Sequence, residues 1–395
     1  MPRLSQSTAT IALVYGHLLD VGGVETHLLS LLRHGNIECY RWLILAPVSP
    51  SFRMLTEALG AQIIPWQVRH PLDIVALLRL VRWLREYRVD LVHTHSPRAA
   101  FLGRLAARLL RRPVIVTVHL PPYYFFRGHS VRSRFMRWLY RWNDRILNHS
   151  LTDRLIYVSS YVCQEALDQR LAPRERTTII KNGIELTSFN DGKSKASLRQ
   201  AWGISPDTIL ICCVCRLDVQ KGVDVLLEAI HLLSIETALT EWQVWIVGDG
   251  PQRSTLENQV RQLRLGKVVQ FLGLRGDVSN LLRASDVFVL PSRYEAMPMA
   301  VLEAMAAGLP SVVTRVGENP FLIENETTGF VVPPEDPHAL GIALRKLVED
   351  LGLRHRMGRI AQQRARDYDA AKMAQRIQSL YATLLSDNQD NANTK

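Results

Sequence analysis

Short apolar runs alternate with helix-period segments along almost the whole chain, and this alternation restricts the fold more than any other feature. In the first half, Ile11–Tyr15, Trp42–Ala46, Gln62–Pro65, Leu91–Thr94, Val114–Val118, Arg154–Val158 and Thr178–Ile180 read as strands, with helical spacing between most of them. Such alternation predicts a parallel sheet with helices on both faces, and ligands then bind beyond the carboxyl ends of the strands. The pattern restarts with strand Ile209–Cys215, helix Val223–Leu233, strand Val244–Val247, helix Val278–Ala284 and strand Val287–Leu290. At 395 residues the chain exceeds one ordinary core, so two α/β domains of about 200 residues each are expected.

The stretch KNGIELTSFNDGKSKAS from Lys181 is polar, turn-rich and without apolar period, and it reads as the linker. The expected division is 1–186 and 187–370. Helical stretches His338–Glu349 and Arg354–Tyr368 close the second domain, a last helix covers 371–385, and the polar tail 386–395 is expected to be disordered.

Leu290 to Thr314 reads LPSRYEAMPMAVLEAMAAGLPSVVT, a strand, loop, helix, strand unit in which Pro298 suits the first helical turn and Gly308 with Pro310 ends it. Glu295 then lies in the loop at the helix N-terminus and Glu303 lies inside the helix, roughly 7 to 8 Å further along the axis. A helix N-terminus suits an anion such as phosphate, and bare carboxylates beside it would repel that anion. The two acids make sense as acceptors of sugar hydroxyls, with cations elsewhere neutralising phosphate; the plainer alternative is a helix cap and a solvated surface acid. Candidate cations are Arg216, at the carboxyl end of strand Ile209–Cys215, and Lys221, at the start of the next helix. Together they suit a diphosphate leaving group that gains charge as a glycosidic bond breaks, against the alternative of two solvated loop cations.

In the first half, Gly22 and Gly23 open a helix after the first strand, where glycine lets the backbone approach a ligand. Their spacing does not match the dinucleotide fingerprint G-x-G-x-x-G. His93, His95 and His119 fall at strand ends; His119 is placed at the rim of the ligand face, while His93 and His95 are read as structural. The segment Arg127–Arg145, RGHSVRSRFMRWLYRWNDR, sets Phe135, Trp138, Leu139 and Trp142 on one helix face and Arg134, Arg137, Arg141 and Arg145 on another. One reading packs the apolar face on the sheet; the other is an interfacial helix that attracts anionic lipid.

Five cysteines cannot all pair, and Cys212, Cys213 and Cys215 crowd one apolar run without a second ligand pair at zinc spacing, so no metal is expected there. The net charge of +11 favours an anionic partner. Nucleic acid would satisfy it, but no recognition motif accompanies it, and a glycan or membrane surface is preferred. No apolar run approaches the roughly 18 residues of a spanning helix, and Ile11–Gly16 is too short for a signal-peptide core, so a cytoplasmic location is expected.

With these residues in place, the chain resembles the large retaining glycosyltransferase family 4, which has the GT-B fold. The resemblance rests on the E-x7-E pair Glu295 and Glu303, on R-L-x-x-x-K-G at Arg216–Gly222, on Lys181–Gly183, on the Phe-Leu-Gly turn at 271–273 and on TGFVVPPEDP from Thr328. It implies two Rossmann-like domains facing across a cleft, with helix 371–385 packing back on the first. It further implies transfer of a hexose or hexosamine from a nucleoside diphosphate sugar, UDP-linked before others, to a hydroxyl on a lipid-linked or polysaccharide glycan, with retention and without metal or cofactor. By the same resemblance Arg216 and Lys221 hold the diphosphate, Glu303 the ribose, and Glu295 and His119 the sugar. Gly22, Gly23, Met297 and Met299 join the donor-binding set. The family often places Gly-Phe-Gly after its first Glu, whereas this chain has Ala296, Met297 and Pro298. Alternatives are an epimerase of the same fold and a sugar-nucleotide-binding regulator without catalysis; a glycan phosphorylase would carry a lysine for pyridoxal phosphate, which is not identified.

Overall fold

The computed structural model describes residues 8–18, 22–70, 72–126, 130–236 and 241–393. The chain divides into two compact units, Met1–Gly183 with Ala370–Lys395, and Ile184–Asp369.

The first unit is built on seven parallel strands, β1 (Ala9–Val14), β2 (Tyr40–Leu45), β3 (Gln62–Ile64), β4 (Leu91–Thr94), β5 (Val114–Val118), β6 (Arg154–Tyr157) and β7 (Thr177–Ile179). They lie in the order β3-β2-β1-β4-β5-β6-β7. Ile11, Leu13, Leu91, Ile115 and Ile156 fill one layer of the core; Ala12, Val14, Val92 and Val114 fill the other. Both sheet faces are therefore covered, as apolar parallel strands require. The order reverses between β1 and β4, and ligand sites in open α/β sheets form beyond such a reversal.

The second unit repeats the plan with β8 (Ile209–Val214), β9 (Trp242–Val247), β10 (Val269–Gly273), β11 (Val287–Leu290), β12 (Ser311–Thr314) and β13 (Gly329–Val332), ordered β10-β9-β8-β11-β12-β13. Its reversal lies between β8 and β11, which pair through Val287↔Ile211 and Phe288↔Cys212. The loops leaving these two strands carry Arg216 with Lys221 and Glu295 respectively.

Three expectations need correction or amendment. The boundary between the units, Gly183 to Ile184, falls within the stretch read as a linker, and the rest of that stretch is ordered as part of the second unit: a 3-10 turn covers Leu186–Phe189, and helix Lys195–Ala201, capped by the Ser194 hydroxyl, ties Lys195 to Asp286 at 2.6 Å. The closing helix spans Ala370–Asn393, so the tail expected to be disordered is helical as far as 393; Met373, Ile377, Tyr381 and Leu384 seat its first part in the core of the first unit. Finally, helix Val131–Ser150 does not pack its aromatic face on the sheet. Of its residues only Leu147 and Asn148 are buried, because Tyr140, Asp144 and Leu147 turn inward while Phe135, Trp138 and Trp142 are exposed. Arg127 lies outside the described residues.

Candidate functional site

Lys221 closes a short 3-10 turn, Val219–Lys221, and Gly222 follows at φ 64° in the left-handed region. A side chain on Gly222 would collide with the Pro291 carbonyl, so the turn lies directly against the loop after β11. Backbone and side-chain bonds stitch the two loops: Arg293 N donates to Gln220 O at 2.7 Å, and Gln220 Nε2 donates to Tyr294 O at 2.9 Å. The Arg293 guanidinium grips Asp224 through two bonds of 2.8 and 2.7 Å and reaches Glu335 at 3.0 Å. Such a bidentate fork fixes orientation as well as distance.

This scaffold brings Lys221 Nζ to 2.5 Å from Glu295 Oε1, to which the Ser292 hydroxyl also donates at 2.8 Å. Burial works against the Lys221 charge, but Glu295 outweighs it and the pKa sits above the ordinary lysine value. The loop beyond is held by Glu318 N donating to Ala296 O at 2.8 Å, and Gly317, at φ 51°, gives the room for it, since any Cβ there would strike the Glu295 carbonyl. Met297 and Met299 are both buried beside this segment.

Arg216 contrasts with Lys221. Its side chain is 70% exposed and its nearest acid, Asp218, lies at 3.5 Å, so it remains available to an incoming anion. Glu303 sits one turn inside helix Met299–Ala306 and, among the described residues, its carboxyl has no hydrogen-bond or ion-pair partner. Burial pushes its carboxyl up to about 7. The exposed cation and the Lys–Glu couple thus lie in the loops that leave β8 and β11, the strands at the reversal, and the acid without a side-chain partner lies in the helix after β11.

In the first unit Gly22 caps and Gly23 begins helix Gly23–Arg33. His119 follows the last residue of β5, half-buried, and its Nε2 lies 3.3 Å from His95 Nδ1. His93 is buried between the Tyr381 hydroxyl at 2.6 Å and Thr117 Oγ1 at 2.7 Å, a fully satisfied position. The residue that spacing did not single out is His27, on helix Gly23–Arg33, whose ring centre lies 4.9 Å from that of His119. It shares the buried face with Leu28 and Leu31, which is the signal that marks it. His27 Nδ1 donates to Asn182 Oδ1 at 3.1 Å, leaving Nε2 as an unpartnered lone pair. Burial lowers the His27 pKa to about 4; burial and neighbouring imidazoles hold His93, His95 and His119 well below the ordinary histidine value. Ligating nitrogens of His27, His95 and His119 all lie within 4.8 Å of one another, a spacing from which a metal ion could be held.

Comparison with known proteins adds an independent line. The model of the family described as Glycosyl transferases group 1 matches residues 194–364, and that of Glycosyltransferase Family 4 matches 21–188. The chain is 30% identical over 316 residues to the UDP-Gal:alpha-D-GlcNAc-diphosphoundecaprenol alpha-1,3-galactosyltransferase of Escherichia coli, covering 79% of this chain and 80% of that protein. It is 28% identical to a D-inositol 3-phosphate glycosyltransferase of Corynebacterium glutamicum over 74% of this chain and 72% of that one. Among solved structures, Anabaena HepE in complex with UDP-glucose superposes with a TM-score of 0.79 at 22% identity, over 94% of this chain and 99% of its own. Sucrose-phosphate synthase from Thermosynechococcus elongatus gives a TM-score of 0.78 at 21% identity, over 96% and 99%. The two parallel-sheet units have the GT-B fold of these structures.

Proposed function

The chain belongs to the glycosyl transferases group 1, and from that premise we propose that it moves a hexose or hexosamine from a nucleoside diphosphate sugar to a hydroxyl of a lipid-linked or polysaccharide glycan, with retention at the anomeric carbon. The observation that carries this reading is the Lys221–Glu295 pair, which joins the loops leaving the two strands at the order reversal, with the exposed Arg216 in the first of those loops. Glu295 Oε1 is taken by Lys221 and Ser292, and Oε2 is left to accept from a sugar hydroxyl. Glu303 accepts from the ribose, whose hydroxyls are the donors a lone carboxylate lacks. His119, Gly22 and Gly23 belong to the proposed donor-binding set by the family resemblance, and Met297 and Met299 line the apolar side of the donor.

As the bond from the anomeric carbon to the diphosphate breaks, the electron pair leaves on the diphosphate, where Arg216 and Lys221 stabilise it. The acceptor oxygen bonds the same face of the carbon and passes its proton to the departing phosphate oxygen, so retention needs no carboxylate nucleophile. Lys221, held by Glu295, and the exposed Arg216 provide the charge stabilisation that a divalent metal provides in other transferases, and the proposed reaction is metal-independent.

A UDP-sugar is favoured because the E. coli relative is named for UDP-Gal and HepE is seen with UDP-glucose. That relative is also named for a diphosphoundecaprenol acceptor, which supports a lipid-linked one here. The reading places the protein peripherally at the cytoplasmic face of a membrane. The test is proton NMR of the product formed from an α-linked UDP-sugar and a polyprenyl-diphosphate-linked glycan. An α-linked product with UDP release is expected, and a β-linked product would refute retention.

A further inference from the structure

Helix Val131–Ser150 carries a stripe that its own unit does not use. Val131, Phe135, Trp138, Trp142 and Ile146 follow one another at spacings of four, three, four and four, which keeps them within one side of a helix of 3.6 residues per turn. All five are exposed, Val131 by 83%, Trp138 by 58% and Trp142 by 53%. Phe135 stacks on Trp138 and Trp138 on Trp142, with centroids 6.0 and 6.4 Å apart, so the stripe is a continuous aromatic strip. Arg134 and Arg145 border it on one side and Arg132 on the other, all exposed. Arg141, further round, is instead held by Glu165 at 3.5 Å and lies over the Tyr123 ring.

We infer that this helix docks flat on an anionic phospholipid bilayer, with the aromatic strip among the acyl-chain boundary and Arg132, Arg134 and Arg145 on lipid phosphates. Amphipathic helices with aromatic and basic residues side by side bind in this way, and tryptophan suits the interface because its ring is apolar and its N–H polar. The helix does not cross: among the described residues no helix is long and apolar enough to span a membrane. A second copy of the chain is a poorer occupant, since a two-fold contact through this strip would bring the same arginines face to face. Charge complementarity selects the anionic surface, and the net charge of +11 acts in the same direction. The inference gives a means to the peripheral location proposed above and rests on that reading for the purpose of docking alone.

Flotation of the full chain with vesicles tests it, without donor or acceptor present. Wild type is expected to float with phosphatidylglycerol–phosphatidylcholine vesicles, to be released by salt, and to ignore pure phosphatidylcholine. Phe135→Ser/Trp138→Ser/Trp142→Ser is expected to lose vesicle affinity by at least about tenfold, with unchanged thermal unfolding and UDP affinity. Wild type that fails to float, or a triple variant that floats as wild type, overturns the inference. So does a wild-type dimer that the variant makes monomeric without any vesicle binding. Transfer by wild type to a detergent-dispersed acceptor, measured alongside, separates the two readings: its failure counts against the proposed reaction, whereas intact transfer by a wild type that does not float counts against docking alone.

Discussion

Lys221 and Glu295 stand 74 positions apart in the chain and 2.5 Å apart in the fold, joined only because β8 and β11 are neighbours in the second sheet. Glu295 is buried and the Lys221 side chain nearly so. A pair in that setting costs little while intact and much when halved, because the surviving charge is stranded.

Lys221→Met is therefore expected to lose about 3 to 5 kcal/mol of stability as well as activity. Lys221→Met/Glu295→Met should regain most of the stability and none of the activity. Urea unfolding and product formation, measured on both variants, separate the electrostatic role from the structural one. A double variant no more stable than the single one would mean that the pair is not the source of the loss.

Much of the fold was legible because apolar runs have sharp ends. Strands Leu91–Thr94, Val114–Val118 and Val287–Leu290 and helix Val278–Ala284 have the limits that their residues predict. What sequence spacing could not supply was lateral order. Nothing local places β8 beside β11, so Lys221 and Glu295 could be picked out singly but not as a bonded pair, and the bracing of their loops by Arg293 went unread. His27 escaped for the same reason: it is one more residue on a buried helix face until β4 and β5 bring His95 and His119 to it. The helix Val131–Ser150 misled because amphipathic spacing reveals an apolar face and not what that face meets.

Glu303 gives a pH signature. Burial raises its carboxyl from 4.5 to about 7, so between those values the folded chain holds a proton that the unfolded chain releases. That proton adds to stability as pH falls through the window, and it removes the ionised acceptor proposed for the ribose. Donor KM is expected to rise as pH falls from about 8 to about 6, while Glu303→Gln should be uniformly weak and flat over the same range. A wild-type KM independent of pH would remove Glu303 from the donor site.

The imidazoles of the first unit predict the opposite trend in stability. His27 is lowered from 6.5 to about 4, and His93, His95 and His119 are lowered as well, so the unfolded chain binds protons that the folded one refuses. Stability contributed by neutral burial is complete above 6.5 and falls as pH drops through the window below it. His27 alone accounts for about 3 kcal/mol by pH 4. Thermal unfolding should show Tm dropping steeply below pH 6.5 in wild type and less steeply in His27→Gln; parallel curves would show that His27 is not buried in its neutral form.

In the proposed reaction Arg216 and Lys221 stabilise the diphosphate as it leaves the sugar. The most direct measurement is release of nucleoside diphosphate from UDP-, GDP- and ADP-sugars, with and without lipid-linked glycan acceptors, in wild type and Lys221→Ala. The account predicts release from a UDP-sugar that rises with acceptor and collapses in the variant. Tight donor binding with no release under any acceptor, or release unchanged by Lys221→Ala, would contradict it.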